Sequence, residues 1–262
     1  MKKFVSLIFV FLISAITVFA NDLKFVQVDG VRFNPNDDKT VQTLENIIND
    51  INKQKDIKFV VFSGNNISKA DRKYLKAFLK TANKLKTPYY VILGNKDVNK
   101  HKGFGKADYI KTLRLHAKTH RMIRQPNYVF EKDKNIFIVV DGSKEVITTP
   151  NGYYRPEVLD WLDEQLTKYF DKNVVVLQHY PIVPPSEKET YYTFKPEEYL
   201  KILAKHNNVK AVIAGHFGVN KEETVNGILH ISTSEAPQYR IIEMIDCDTD
   251  TPTFWSTLKW KK

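Results

Sequence analysis

The chain holds a single cysteine, Cys247, so it cannot close a disulfide within itself, and a disulfide-stapled miniprotein is excluded. Beyond the apolar run at its start it has no second segment able to span a membrane. No Gly-x-Gly-x-x-Gly opens a helix, which leaves a dinucleotide site without support. Ser63 and Ser143 stand outside any Gly-x-Ser-x-Gly elbow, which removes the serine-hydrolase reading. Internal repeats, low-complexity tracts and long Gly/Ser linkers are also missing. Apolar residues are not scarce. At 42% hydrophobic and 12% aromatic over 262 residues, the chain excludes wholesale disorder and can build the core of one domain.

Charge is lopsided, with 40 Lys+Arg against 30 Asp+Glu and a formal net charge of +10. Such an excess indicates a polyanion partner only when it clusters. Here the lysines spread along polar helix faces, so the basicity reads as solvated surface and nucleic acid is not the expected partner.

The first residues read as a targeting segment. Lys2 and Lys3 precede an apolar stretch from Phe4 to Ala20, and Asn21 and Asp22 restore polarity. A basic start, an apolar middle and small residues at the end form a secretory signal peptide. Cleavage is expected before Asn21, with Val18 and Ala20 at the positions that select small side chains. The expected organisation is a signal over 1–20 and one domain over 21–262, exported to a periplasmic or extracellular destination, with no stable membrane span. Left uncleaved, the same run would tether the protein to a membrane as a signal anchor. An exported chain makes Cys247 a buried hydrophobe rather than a redox centre.

The remainder alternates strand and helix. Short β-branched runs lie at 24–28, 59–62, 89–93, 135–140, 173–177, 210–214, 228–232 and 239–245. Most are continuously apolar, as strands buried on both faces are. Between them, Val41, Leu44, Ile47, Ile48 and Ile51 recur at helical spacing, as do Leu75, Phe78, Leu79 and Leu85. Val158, Trp161, Leu162, Leu166 and Phe170 predict a third helix, and Tyr199, Leu200 and Leu203 a fourth. The alternation gives an α/β layered fold, and the hairpin-like strands after Gly227 add an antiparallel edge. Residues 98–106 and 183–195 read as the loosest loops.

In open α/β sheets, ligands gather at the carboxyl ends of strands. Those ends read Asp29, then Ser63-Gly64-Asn65-Asn66, Gly94-Asn95-Lys96-Asp97, Gln178-His179-Tyr180-Pro181 and Gly215-His216-Phe217-Gly218. Five strand tips thus offer oxygen or imidazole donors of the kind that suit Mn, Fe or Zn. Several other residues read as ordinary surface or packing. His101, His116 and His120 lie in basic stretches and are expected to be solvated, His206 to cap a helix end, and His230 to pack within a strand. Tyr153, Tyr154, Tyr191, Tyr192 and Phe194 are placed either to wall a cleft or to pack.

The ordered tips resemble the calcineurin-like metallophosphoesterase family, from about Phe25 to Ile245. That family's signatures DxH, GDxxD, GNH(D/E), a His before Pro, and GHxH correspond in order to Asp29-Gly30-Val31, Gly64-Asn65-Asn66-Ile67-Ser68, Gly94-Asn95-Lys96-Asp97, His179-Tyr180-Pro181 and Gly215-His216-Phe217-Gly218. The strand Asn135–Asp141 and the helix Val158–Leu166 match its supporting context. The resemblance implies a layered β-sandwich of mixed sheets flanked by helices, a phosphomonoester or phosphodiester substrate, and divalent metal (Mn, Fe or Zn).

The same resemblance implies a reduced centre. One metal of the family would meet Asp29, Val31, Asn65 and Gly218, which is a poor cage for a dication. The other would meet Asn65, Asn95, His179 and His216, with Asp29 adding charge from behind. Lys96 replaces the family's acid His, and Asp97 keeps its acidic neighbour; both are the expected catalytic positions. A Lys96 side chain paired with Asp29 or Asp97, or pointing into solvent, fits the sequence equally. Two functions follow: an exported phosphoesterase holding one metal, or a catalytically inactive phosphoesterase fold that binds phosphate, nucleotide or protein.

Overall fold

The computed structural model describes residues 22–259, so the signal-peptide reading of residues 1–20 lies outside the described residues. Two sheets face one another, with helices on both outer surfaces. The first sheet has the order β11-β10-β1-β2-β3, built from β1 (Leu23–Val28), β2 (Ile57–Phe62), β3 (Tyr89–Val91), β10 (Tyr239–Ile245) and β11 (Thr253–Lys259). The second has the order β4-β5-β6-β7-β9-β8, from β4 (Tyr128–Lys132), β5 (Asn135–Val140), β6 (Val174–Gln178), β7 (Val209–Ala214), β8 (Lys221–Val225) and β9 (Ile228–Ser232). In the first sheet β1, β2 and β3 run parallel while β10 and β11 add an antiparallel side, and in the second β5, β6, β7 and β9 run parallel between antiparallel margins β4 and β8. This is the expected α/β sandwich of mixed sheets.

The continuous apolar runs have a direct physical cause. Side chains alternate across a strand, and each central strand here is covered on both faces. On β1 and β2, Val26, Val28, Val60 and Phe62 pack under α1 (Asp38–Ile51), α2 (Arg72–Ala82) and α3 (Lys106–His116). Phe25, Phe59 and Val61 point the other way, into a layer shared with Phe137, Val139, Val175, Leu177, Ala211 and Ile213 of the second sheet. The outer face of that sheet buries Ile138, Val140 and Val176 against α4 (Pro156–Lys168) and α5 (Pro196–Ala204). Asp37 and Asp71 cap α1 and α2 by accepting from Lys39 N and Lys73 N. Cys247 lies buried in the layer between the sheets, as an ordinary hydrophobe.

Aromatic rings join the sheets at the centre of that layer. Phe25 and Phe59 stack at 4.8 Å, and Phe59 meets Phe137 edge-on at 4.8 Å. Phe130 of β4 stacks on Phe137 at 5.1 Å.

Several sequence expectations need adjustment. Helix α4 stops at Lys168, and Phe170 beyond it is exposed. Residues 98–106, expected as a loop, hold a short 3₁₀ turn and the start of α3. His120, expected in solvent, is fully buried because its Nε2 accepts from the backbone N–H of Val91 at 3.0 Å. Burial pushes that imidazole down to about 3, so it stays neutral in the folded chain.

The depressed pKa of His120 has a definite sign. Between about pH 6.5 and 3 the unfolded chain takes up a proton that the folded chain refuses, so acidification removes stability. Wild type should lose about 1.4 kcal/mol per pH unit more than His120→Gln between pH 6 and 4. Urea denaturation across that range checks it, and parallel slopes would contradict the assignment. Separately, Phe59→Ala should cost about 3–5 kcal/mol in the same assay, because one ring serves both sheets.

Candidate functional site

The carboxyl ends of β1, β2, β6 and β7 and the turn after β3 converge at one edge of the sandwich. Asp29, just past β1, is fully buried. Its Oδ1 accepts from Ser63 Oγ at 2.9 Å, and its Oδ2 accepts from the backbone N–H of His216 at 3.0 Å. One carboxylate therefore links the tip of the first sheet to the tip of the second. His179 makes the complementary link. Its Nδ1 donates to the carbonyl of Ser63 at 2.7 Å and stands 3.6 Å from Asp29 Oδ1. With Nδ1 protonated, Nε2 is left as the acceptor, and it lies 3.1 Å from His216 Nδ1.

Two glycines make these approaches sterically possible. A Cβ at Gly215 would stand 1.9 Å from Asp29 Oδ1, and one at Gly64, where φ is +112°, would stand 2.3 Å from His179 Nδ1. The flanking residues carry strain: Asn65 has φ 51° and His216 φ 74°, a region that non-glycine residues seldom enter.

The amides complete the cluster. Asn65 Oδ1 and His179 Nε2 both lie within 3 Å of the point where a Gly94 Cβ would stand. Asn65 Oδ1 accepts from the backbone N–H of Lys96 at 3.0 Å. Asn95 Oδ1 is buried and has no hydrogen-bond partner. His216 Nε2 is likewise buried without a partner. Burial, then the neighbouring His179, hold the His216 imidazole down to about 2. It is thus neutral, as a ligand or an acceptor must be.

The predicted site residues therefore separate by role. Asn65 and His216 each approach His179, and Asn95, which follows Gly94 in the chain, carries a buried and unsatisfied amide oxygen. Asp29 touches the cluster, but both of its oxygens are committed to holding it together. Asp97 is buried and accepts from the backbone N–H groups of Ile67 at 3.0 Å and Gly94 at 2.9 Å, and from Asn66 Nδ2 at 3.1 Å. Burial raises its carboxyl to about 6. Its contacts clamp the β3 turn against the β2 tip. Lys96 is exposed and pairs with neither Asp29 nor Asp97. Its ammonium is depressed, first by partial burial and then by Arg32. A surface cleft of about 320 Å³ opens beside it, lined by Ser68, Lys69, Asn95, Lys96, Lys102 and Thr149 among others.

Two residues escaped the sequence reading. Arg32 follows the first motif, with φ 48°, and its guanidinium pairs with Glu235. Arg32 is adjacent to the motif position Val31 and was legible as a charge beside a strand tip. Glu235 comes from the β9–β10 connection and carried no signal. Tyr191, one of the candidate cleft aromatics, packs its ring 5.0 Å from His216, whereas Tyr154 is core and donates to the Tyr180 carbonyl at 2.8 Å.

The donor chemistry discriminates between the two metal positions. Val31 is buried in the apolar cluster under the helices, and a Cβ at Gly218 would meet nothing within 4 Å, so neither presents a ligand. Among the described residues, no group of three or more His, Cys, Asp or Glu converges closely enough to hold an ion. Two imidazoles and the Asn65 amide oxygen do converge, and the buried, unpaired Asn95 amide oxygen follows Gly94 in the adjoining turn. That mixed N/O set suits one borderline dication, weakly, since none of the four is an anion.

Residues 19–220 match the family model of the calcineurin-like phosphoesterases, and the chain belongs to that family. It is 26% identical over 132 residues to a probable cyclic nucleotide phosphodiesterase of Moraxella catarrhalis, covering 50% of this chain and 47% of that protein. It is 24% identical over 198 residues to a probable glycerophosphodiester phosphodiesterase GpdQ of Arcobacter nitrofigilis, covering 74% of this chain and 67% of that one. A manganese-dependent ADP-ribose/CDP-alcohol diphosphatase of Danio rerio is 28% identical over 103 residues, covering 38% of this chain and 32% of its own length. The chain thus matches about half or less of the length of two of these relatives. Among solved structures, a dimetal phosphatase from Danio rerio superposes with a TM-score of 0.64 at 16% identity, over 88% of this chain and 98% of that one.

Gly215→Ala tests the geometry directly. The added methyl overlaps the Asp29 carboxylate, so the variant should lose at least about 3 kcal/mol of stability or fail to fold. Gly103→Ala, with no neighbour within 4 Å, is the control for glycine replacement itself and should lose no more than about 1–2 kcal/mol, from its φ of +76°. Thermal denaturation of the pair checks this, and equal melting temperatures would contradict it.

Proposed function

We propose that this chain is an exported phosphoester hydrolase whose centre takes at most one divalent metal. The observation that carries the reading is the approach of His179 Nε2 and His216 Nδ1 to 3.1 Å, with Asn65 Oδ1 alongside and Asn95 Oδ1 buried and unpaired. These four residues would hold the ion. When bound, such an ion polarises a phosphoryl oxygen and lowers the pKa of a coordinated water.

The chain's own groups supply the rest. Asp29, through Ser63 and His216, keeps both imidazoles in register and places a buried negative charge behind them. Lys96 stands where the family has its acid His. Its exposed ammonium neutralises phosphate charge and, with its pKa depressed, is a better proton donor to a departing oxygen than an ordinary lysine. The cleft lined by Lys69, Lys96 and Lys102 suits an anionic substrate. A phosphodiester or diphosphate substrate is supported by the names of the relatives, and manganese by one of them. Export rests on Lys2–Ala20 alone.

A second reading has its own support. With Val31 buried in the apolar core and both Asp29 oxygens hydrogen-bonded, the first metal position keeps only the shared Asn65 amide as a free donor, which fits a fold retained for binding.

Metal analysis after Mn, Fe or Zn loading separates the two. The hydrolase reading expects close to one ion per chain, lost in His179→Ala/His216→Ala together with phosphodiester turnover. Asn65→Asp, which gives the set an anion, should tighten metal binding by about tenfold or more. No specific metal, and turnover equal to the double variant, would leave the binding-module reading.

A further inference from the structure

We infer that Arg32 and Lys96 form a seat for a phosphate group that operates without any metal. The two cations are tethered to the same residue. The backbone N–H of Arg32 donates to the Asn65 carbonyl at 2.8 Å, and the backbone N–H of Lys96 donates to Asn65 Oδ1 at 3.0 Å. Asn65 therefore fixes where both side chains leave the main chain, one from the β1 tip and one from the β3 turn.

Each cation has donors to spare. The Arg32 guanidinium is held from one side by Glu235, through Nη2, while its Nε–H is buried and lacks a hydrogen-bond partner. An Arg anchored at one edge is oriented at little entropic cost for a bidentate anion at another. The Lys96 side chain is exposed and makes no ion pair among the described residues. Other charges nearby do not cancel the pair. Asp29 and Asp97 are buried with their oxygens engaged, which leaves Glu235 as the competing carboxylate. Lys69 and Lys102 line the adjoining cleft and would favour further negative charge on the same ligand.

The chemistry explains two replacements at once. Where the family carries a bridging carboxylate, this chain has a neutral amide, which removes a negative charge from the residue to which both cations are tethered. Where the family's acid His stands, this chain has a fixed positive charge. The first change removes a negative charge and the second adds a positive one, so both favour an anion at this place. The inference goes beyond the hydrolase reading and holds whether or not His179 and His216 take a metal.

Inorganic phosphate titrated into EDTA-treated protein at low ionic strength, followed by calorimetry, tests it. Saturable binding is expected. Lys96→Gln should weaken it about tenfold with an unchanged melting temperature, and Arg32→Gln similarly. Glu235→Gln, which frees the guanidinium, should tighten it, and this variant keeps the test decisive if Arg32→Gln misfolds. Binding that appears only after Mn is added, or that is unmoved by both Lys96→Gln and Glu235→Gln, would overturn it.

Discussion

Asp29 is the point on which the site depends. It sits at the end of a central strand of one sheet, fully buried, and takes its two hydrogen bonds from the neighbouring strand tip and from the opposite sheet. A buried carboxylate is costly unless its oxygens are satisfied, so Ser63 and the His216 backbone are obliged to stay where they are. That obligation explains the glycine at 215, the left-handed backbone at His216 and the close approach of His179. The imidazole pair is a consequence of the link rather than an independent feature. In a two-metal relative, the same carboxylate position would be a ligand. Here its two oxygens bond Ser63 and the His216 backbone, and so tie the two strand tips together.

The fold was legible because its cause is simple. Strands covered on both faces are predominantly apolar, and β1, β2, β5, β6 and β7 are, with polar residues only at Lys24, Gln27, Lys58, Asn135, Gln178 and Lys210. The segments that escaped are those that the sandwich leaves uncovered. Strand β8, Lys-Glu-Glu-Thr-Val, is an edge whose charges face water, and β11 is an edge with exposed Trp255. Strand β4 ends in Glu131 and Lys132, and α3 starts at Gly105 with no side-chain cap. Each lacks the local signal because its stability comes from tertiary contact.

The site was legible in its order but not in its roles. Tip residues at Asp29, Asn65, Asn95, His179 and His216 could be named from sequence, since strand ends are where an α/β fold places its chemistry. Whether a carboxylate faces an ion or its own neighbours depends on donors scattered over 187 residues of separation, as between Asp29 and the His216 backbone, and no local pattern encodes that. The same holds for Arg32 and Glu235, joined across 203 positions. Family membership gives the fold and the calcineurin-like phosphoesterase frame into which these strand tips fall. The proposal for this particular centre turns on Val31, Asn65, Lys96 and Gly218, the residues that stand at the motif positions.

Anomalous diffraction from crystals of the protein soaked in manganese tests the central claim most directly. The account predicts one peak at most, bounded by Asn65, Asn95, His179 and His216, with Asp29 still bonded to Ser63 and the His216 backbone. A second peak beside Val31 and Gly218, with the Asp29 carboxylate turned onto it, would contradict the account.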